Sequence, residues 1–301
     1  MKKSLTALAV LGVFAGSAMA ADVTLYGALD TGFEYFHKKT TKFDGSSEKS
    51  DTFDMQTGWD TGNRWGLKGS EDLGNGYKVS FKLESGFNGD DGTMGQGSRL
   101  FGREAGLTLS GPFGSVAFGR FGGLSSSCGT YDMLGYVESF DGGDGDVWGF
   151  AASDRYDNMV VYQTPRFAGL QLTAQYSFKT DSKGTNKDDA KGNHYYNGDE
   201  GTSDAQRYAS IGLSGEYGPA SFAVGYELTK YGASAAAGVG RELDKDGQLV
   251  FLGGNYDFEV VQLFVEGQYF KHQTAIAGFG DAFEDNICLL YTSPSPRDVE
   301  E

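Results

Sequence analysis

The middle of the chain alternates apolar and polar residues at every second position. Between residues 77 and 87 the odd positions form a mainly apolar set and the even positions a polar one: Tyr77, Val79, Phe81, Leu83, Ser85 and Phe87 against Lys78, Ser80, Lys82 and Glu84. A period of two is typical of a β-strand with one apolar and one polar face. A run of about 11 residues suits a tilted strand that crosses a bilayer, whereas strands in soluble sheets usually have about 5 or 6 residues.

The same alternation recurs along most of the chain and predicts eleven strands. They are 23–36, 60–70, 77–88, 99–110, 115–121, 158–164, 170–179, 206–217, 220–231, 248–258 and 260–271. We therefore expect an all-β protein in which each strand keeps its apolar face on one side. A soluble sheet would bury that face against a second layer, and a transmembrane barrel would turn it towards lipid.

The connections between these segments alternate in length. The short ones are Glu71–Gly76, Gly111–Gly114, Pro165–Gly169, Gly218–Pro219 and the bend near Glu259; the long ones are His37–Trp59, Asn88–Ser98, Gly122–Asp157, Thr180–Ala205 and Gly232–Gly247. Barrels of the bacterial outer membrane have short periplasmic turns and long outer loops, and a soluble sandwich has no reason to sort its loops in this way. The pattern predicts a transmembrane antiparallel up-and-down β-barrel whose first strand runs outward.

Aromatic residues of the apolar face lie near both ends of the predicted strands. Those beside short turns are Tyr77, Tyr217 and Phe258, and those beside long loops are Tyr35, Phe87, Phe178 and Tyr269. Two girdles at the two membrane interfaces explain this placement. The alternative is that aromatic residues merely favour strands.

Composition and the N-terminus narrow the class further. The chain has 47 Gly against 5 Pro and is 39% hydrophobic, an average that a barrel permits because only alternate residues face lipid. The formal net charge of −16 argues against nucleic acid as a partner, and Cys128 and Cys288 provide no disulfide framework. Residues 1–20 carry Lys2 and Lys3 before a short apolar run, which predicts a signal peptide cut after Ala20.

Four stretches together resemble a known family. VTLYGALDTGFEY, NRWGLKGSEDLGNGYKVSFKLESGF, RLFGREAGLTLSGPFGSVAFGR and DNMVVYQTPRFAGLQLTAQYSF are similar to the Gram-negative general porins, especially the betaproteobacterial and neisserial type. The resemblance implies a homotrimer in the bacterial outer membrane, surrounded by lipid and lipopolysaccharide. Each subunit would be a barrel of about 16 strands. It would pass small hydrophilic solutes and ions by passive diffusion, without a cofactor, through a channel narrowed by an inward-folded third long loop.

Gly122–Asp157 is the loop that matches this third long loop. Its acidic residues outnumber its one basic residue, Arg155: they are Asp132, Glu138, Asp141, Asp144, Asp146, Asp154 and Asp157. The resemblance places Arg64, Lys82 and Arg103 on the opposite wall, and alternation adds Lys68 to the inward face. The expected pore constriction comprises Arg64, Lys68, Lys82, Arg103, Asp132, Glu138, Asp141, Asp144, Asp146 and Arg155. The acidic loop predicts a preference for cations, which the basic wall could reverse.

Two arginines fit the alternation poorly. Arg103 shares parity with the outward Leu107 and Leu109, so an inward Arg103 requires a bulge in its strand. Arg120 shares parity with Phe118 and points outward. A lone Arg that faces lipid costs about 2 to 4 kcal/mol at the membrane midplane. Snorkelling or a contact between subunits is therefore expected for Arg120.

Other functional classes have weaker support. His37, His194 and His272 lie in long loops without a Ser or Cys constellation, so we predict no enzyme. The DGGDGD run at Asp141–Asp146 lacks the spacing and terminal Glu of an EF-hand, which favours a solvated acidic loop without metal. The main alternative is a surface-exposed barrel that acts as an adhesin or receptor through its long loops. A secreted soluble β-protein is the third.

The C-terminal end departs from the pattern. After Phe283 the alternation stops, and CLLYTSPSPRD resembles a translated adapter read-through. We interpret residues 288–301 as a non-native tail, a sequencing artefact, and residues 21–287 as an incomplete porin β-barrel. About 11 of the 16 strands of the family would then be present, and the barrel would be left with unpaired edges.

Overall fold

A computed structural model describes residues 22–43, 45–58, 61–126, 129–133, 153–182, 187–188, 194–195, 200–202, 205–231, 246–260, 262–272 and 285–295. The predicted signal peptide lies outside these residues, as do Glu138, Asp141, Asp144 and Asp146. The described residues contain sixteen strands. In chain order they are β1 (Asp22–Ala28), β2 (Thr31–Thr41), β3 (Ser47–Thr57), β4 (Arg64–Gly74), β5 (Tyr77–Gly86), β6 (Glu104–Gly111), β7 (Gly114–Gly122), β8 (Arg155–Gln163), β9 (Leu170–Ser177), β10 (Lys187–Asp188), β11 (His194–Tyr195), β12 (Arg207–Tyr217), β13 (Ala220–Lys230), β14 (Gly247–Asp257), β15 (Gln262–Lys271) and β16 (Asp285–Ser295).

Twelve of these strands form one antiparallel sheet in the order β1-β4-β5-β6-β7-β8-β9-β12-β13-β14-β15-β16. Because each strand pairs with the next strand of the sheet along the chain, the predicted up-and-down order is confirmed. Within the described residues no ladder joins β1 to β16, so this sheet has two edges. The only helical element of the described part is the four-residue turn Gly95–Ser98, and no helix there is long and apolar enough to span a membrane.

Burial confirms which way the strands face. On β12 and β13, Ile211, Val224 and Tyr226 are exposed, whereas the alternating Ser210 and Glu227 are buried. A soluble sheet would bury the first set and expose the second. Apolar residues therefore point outward on this sheet and polar residues point inward, as expected for strands that turn one face to lipid.

Some inward positions of the later strands are apolar, which the alternation did not predict. Leu249 and Phe251 of β14 and Phe264 and Phe270 of β15 are buried on the inward face. Phe251 is part of a cluster that receives residues from the connection between β7 and β8, described below.

The first predicted strand, 23–36, is wrong as a single element. The chain leaves β1 at Ala28 and pairs again only from Thr31, where β2 and β3 form a separate two-stranded ribbon. Asp30 makes the break: its carbonyl accepts from Gly58 N at 2.9 Å and its carboxylate from Thr61 N at 3.0 Å. The apolar parity continues through the break, so the pattern could not reveal it. Tyr35 belongs to this ribbon rather than to a girdle of the main sheet.

The sequence also predicted no strand after residue 271. The structure places Asp285–Ser295 as β16, paired antiparallel with β15. Pairing uses backbone groups, which an irregular side-chain pattern does not prevent. Pro294 lies near the end of β16, beside the register shift between Gln262 and Phe264, and falls outside the paired positions, as is usual for proline at a bulge or on an edge strand. The interpretation of residues 288–301 as a non-native tail stays a prediction.

The alternation of short and long connections is confirmed. The β4–β5 turn is Asn75–Gly76, and both residues have positive φ, as the two-residue turn of a hairpin requires. At the other end of the sheet, the connection from β7 to β8 runs from residue 123 to 154 and places its first residues against the inward wall.

Candidate pore constriction

The connection between β7 and β8 closes on itself where it leaves the wall. We call its described residues, 123–126, 129–133 and 153–154, the inward loop. Gly123 N donates to Asp154 O at 3.0 Å, and Ser153 N donates to Ser125 Oγ at 2.9 Å. The two limbs therefore meet at a narrow neck, as in an Ω-loop.

Aromatic packing holds one side of the inward loop against β6 and β7. The rings of Phe121 and Tyr131 meet edge to face with centroids 5.2 Å apart. Phe121 lies over Gly106 of β6, where a Cβ would come within 2.1 Å of the ring. Tyr131 is buried by this contact, and burial raises the pKa of its phenol above the ordinary value.

A second apolar contact lies across the interior on β12 to β14. Leu124 and Met133 are buried with Ala223 and Phe251 in one cluster. Gly212 leaves the space for them, since a Cβ there would lie 2.5 Å from Met133 Sδ. Met133 N also donates to Leu124 O at 2.8 Å, which fixes these two loop residues relative to each other.

Polar contacts reinforce this docking on the same side. Glu227 of β13 accepts from Ser125 N at 2.8 Å and from Ser125 Oγ at 2.9 Å. Ser153 Oγ donates to the same carboxylate at 3.3 Å. Gln175 of β9 donates from Nε2 to Gly122 O at 3.1 Å, and Leu124 N donates to Tyr208 OH at 3.3 Å. The inward loop thus crosses from β7 and β8 to a wall three strands away.

The opposite wall carries a compact network of charges. Glu84 and Glu104 face each other across β5 and β6. Lys82 Nζ lies 2.6 Å from Glu104 Oε2, and Arg103 Nε lies 2.7 Å from Glu84 Oε1. Thr130 of the inward loop donates from Oγ1 to Glu104, so the network and the inward loop are in direct contact.

Lys68 of β4 completes this wall with a different environment. It lies directly opposite Lys82 in the ladder, and its ammonium is 5.3 Å from the centroid of the Tyr26 ring. Among the described residues it has no carboxylate partner. A cavity of about 410 Å³ lies between this wall and the inward loop; Lys68, Lys82 and Glu104 are the charged residues that line it.

The structure gathers part of the predicted set at this place. Lys68, Lys82 and Arg103 lie on the wall, and Arg64 begins β4 above them, with Nη1 donating to Gly62 O at 3.3 Å. Asp132 is on the inward loop, close enough to Glu266 of β15 for an electrostatic interaction. Arg155 begins β8, where its carbonyl accepts from Arg120.

The bulge expected at Arg103 is wrong. β6 starts at Glu104, so Arg103 lies before the regular strand and its backbone N donates to Glu84 O at 3.1 Å. Its side chain reaches the inward Glu84 without any change of parity inside β6.

The structure gives Arg120 a partner within the chain that the sequence did not predict. Arg120 points outward, but its Nη1 lies 2.7 Å from Asp157 Oδ1 and its Nε donates to Gly102 O at 2.8 Å. Arg99 binds the other oxygen of Asp157 at 3.1 Å. The charge is therefore balanced within the chain, and Asp157 belongs to this outward cluster rather than to the loop acids that face the pore.

Sequence reasoning missed the carboxylates that organise the site, Glu84, Glu104 and Glu227. Their parity placed Glu84 and Glu227 on polar faces, so an inward position could be inferred. The pairing of each acid with a base could not be inferred, because it depends on the register of the ladders and on where the inward loop contacts the wall.

Comparisons with known proteins agree with this architecture. The model of the Gram-negative porin family matches residues 6–291. An outer membrane porin protein of Bordetella pertussis is 39% identical over 276 residues, which cover 87% of this chain and 68% of that protein. Outer membrane porin protein 32 of Delftia acidovorans is 33% identical over 286 residues, covering 92% and 72%. The solved anion-selective porin from Comamonas acidovorans superposes with a TM-score of 0.59 at 28% identity, covering 84% of this chain and 69% of that one.

Proposed function

We propose a solute route and a charge preference for this chain, which belongs to the Gram-negative porin family. As a porin of the bacterial outer membrane, it is a β-barrel channel for the passive diffusion of small hydrophilic solutes and ions. The proposed route passes between the inward loop and the wall of β4, β5 and β6. The proposed preference is for anions.

The pairing of Lys82 with Glu104 carries this proposal. These two charges balance each other at 2.6 Å, so Lys68 is the remaining charge in the lining of the cavity. An uncompensated ammonium beside a narrow aqueous path raises the local concentration of anions. The barrier for an anion is therefore lower than for a cation of the same size.

The expectation of cation preference from the sequence depended on the acids of Gly122–Asp157. Asp157 lies in the outward cluster, where its charge is paired with Arg120 and Arg99. Glu138, Asp141, Asp144 and Asp146 lie outside the described residues. The anion-selective porin from Comamonas acidovorans, to which this chain is similar, supports the same direction.

The homotrimer and the contact with lipopolysaccharide stay predictions from the resemblance. A chemical cross-linking ladder of the protein in outer membranes would test the first. Tests of the pore itself do not depend on either.

Reversal potential in a salt gradient tests the charge preference. Protein extracted from outer membranes and inserted in a planar bilayer is expected to show anion preference. Lys68→Gln should move the reversal potential towards the cation side. Lys78→Gln is the matched control, because Lys78 lies on the inward parity of the next strand but does not line the cavity. Cation preference of the unmodified protein, or equal shifts from both variants, would contradict the proposal.

A further inference from the structure

We propose that Glu227 is the positioning residue that holds both limbs of the inward loop at the wall, and that it thereby sets the bore of the pore. The idea rests on the route proposed above, because a bore matters only if solutes pass beside the inward loop. It concerns a residue that no sequence pattern singled out.

The carboxylate of Glu227 reaches both limbs at their neck. Ser125, on the outgoing limb, gives it a backbone N–H and a hydroxyl, from a position 102 residues earlier in the chain. Ser153, on the returning limb, gives it a second hydroxyl, and Ser125 and Ser153 are themselves 3.1 Å apart through their Oγ atoms. One side chain therefore binds both limbs to the wall, at the neck where Gly123–Asp154 and Ser153–Ser125 hydrogen bonds join the limbs to each other.

The Glu227 carboxylate is buried, so its stability depends on these hydrogen bonds. Glu227 is only 3% exposed, and within the described residues it has no salt bridge to a cation. A buried carboxylate without a cation depends on the hydrogen bonds that it accepts. Ser125 and Ser153 of the inward loop supply three of these bonds, and the Tyr208 side chain of β12 supplies another. Movement of the loop away from β13 would therefore leave the buried carboxylate with Tyr208 alone among these donors. Removal of Glu227 would in turn leave Ser125 N–H without its acceptor.

The other contacts of the inward loop do not replace this one. Leu124 and Met133 pack against Ala223 and Phe251, and Leu124 N donates to Tyr208 OH at 3.3 Å, but these contacts hold the outgoing limb alone. Gln175 binds Gly122 O, which is still part of β7. Thr130 contacts Glu104 on the opposite wall, so this bond fixes the far side of the outgoing limb rather than the neck.

Hydrogen exchange measures the positioning directly. In the unmodified protein in detergent, we expect the Ser125 amide to be protected. Glu227→Ala should speed its exchange by about tenfold or more, and Glu227→Gln should lie between, because one amide oxygen can still accept. Thr229→Ala is the control on the same strand and the same inward face, with similar burial. It should leave the Ser125 amide unchanged.

Single-channel conductance then tests the bore. Glu227→Ala should conduct more than the unmodified protein and with greater open-channel noise, and Thr229→Ala should match the unmodified protein. If Glu227→Ala does not fold, the double variant Ser125→Ala with Ser153→Ala keeps the carboxylate and removes two of its donors; its exchange and conductance should change in the same direction.

Two results would overturn the proposal: unchanged Ser125 exchange in a folded Glu227→Ala protein, or faster exchange with unchanged conductance. Failure of the proposed anion preference would appear separately, in the reversal potential of the unmodified protein.

Discussion

Glu84 and Glu104 occupy directly opposite positions on β5 and β6, and each is bound by a different cation. Like charges in such a cross-strand pair repel. Lys82 stands between them, 2.6 Å from Glu104 and 3.6 Å from Glu84, while Arg103 neutralises Glu84 from the other side. The arrangement turns an unfavourable pair into a network of two acids and two bases, which leaves Lys68, among the residues that the structure describes, as the unpaired charge in the cavity lining.

Removal of the central cation should therefore destabilise the protein. Lys82→Met leaves Glu104 buried beside Glu84 without its cation, and we expect a loss of about 3 kcal/mol in the free energy of unfolding. The temperature at which the folded band disappears in heat-modifiable electrophoresis measures this. Adding Glu104→Met to Lys82→Met should recover much of the loss. Equal stability of the Lys82→Met and unmodified proteins would mean that the network contributes nothing.

A second prediction concerns the close packing of Phe121 on Gly106. Gly106→Ala places a methyl group within 2.1 Å of the ring position, so Phe121 and Tyr131 must shift. We expect a loss of about 1 to 3 kcal/mol, as for other overpacked sites. Gly32→Ala on β2 is the control, since a Cβ there meets no atom within 4 Å. A Gly106→Ala protein as stable as the control would show that the aromatic contact is loose.

Arg120 and Lys68 should separate stability from selectivity. Arg120→Gln breaks the ion pair with Asp157 on the outward side, so it should lower the unfolding temperature and leave the reversal potential unchanged. Lys68→Gln should leave the unfolding temperature unchanged and shift the reversal potential. Lys68 has no carboxylate partner in the described part of the chain, but it lines the cavity. A change in reversal potential caused by Arg120→Gln would place that residue in the pore.

The ribbon of β2 and β3 should be dispensable for folding. Its residues are almost all exposed, and its ladder is separate from the main sheet. Replacing residues 33–55 by Asn-Gly should keep the β1–β4 pairing, and the unfolding temperature should change little. Loss of the folded band would show that the ribbon has a partner surface on which the barrel depends.

The alternation of apolar and polar residues predicts which way each side chain faces, but it does not predict where a strand is interrupted. Side-chain orientation in a strand is a local property. Four consecutive residues were therefore enough to predict Lys82 and Glu84 on one side and Phe81 and Leu83 on the other. The break at Asp30 was not predictable, because it depends on hydrogen bonds to Gly58 and Thr61, distant in the chain, while the parity runs on undisturbed.

The candidate site was predictable to a smaller extent. The resemblance and the parity indicated Lys68, Lys82 and Arg103 on the wall. The partner of Arg120 was not predictable, because Asp157 lies in a part of the loop sequence that looks like the pore acids and is brought outward by a register shift between β7 and β8. Glu227 escaped notice because one acid on a polar strand face carries no sign of the inward loop that lands on it.

Liposome swelling tests the central claim most directly, namely that this porin forms an aqueous channel narrowed by the inward loop. Protein from outer membranes, reconstituted in liposomes, should admit monosaccharides quickly and disaccharides more slowly, and Glu227→Ala should reduce the difference between them. Liposomes that contain correctly inserted protein but do not swell in a monosaccharide would contradict the account. Equal rates for all sugars in the unmodified protein would contradict the constriction.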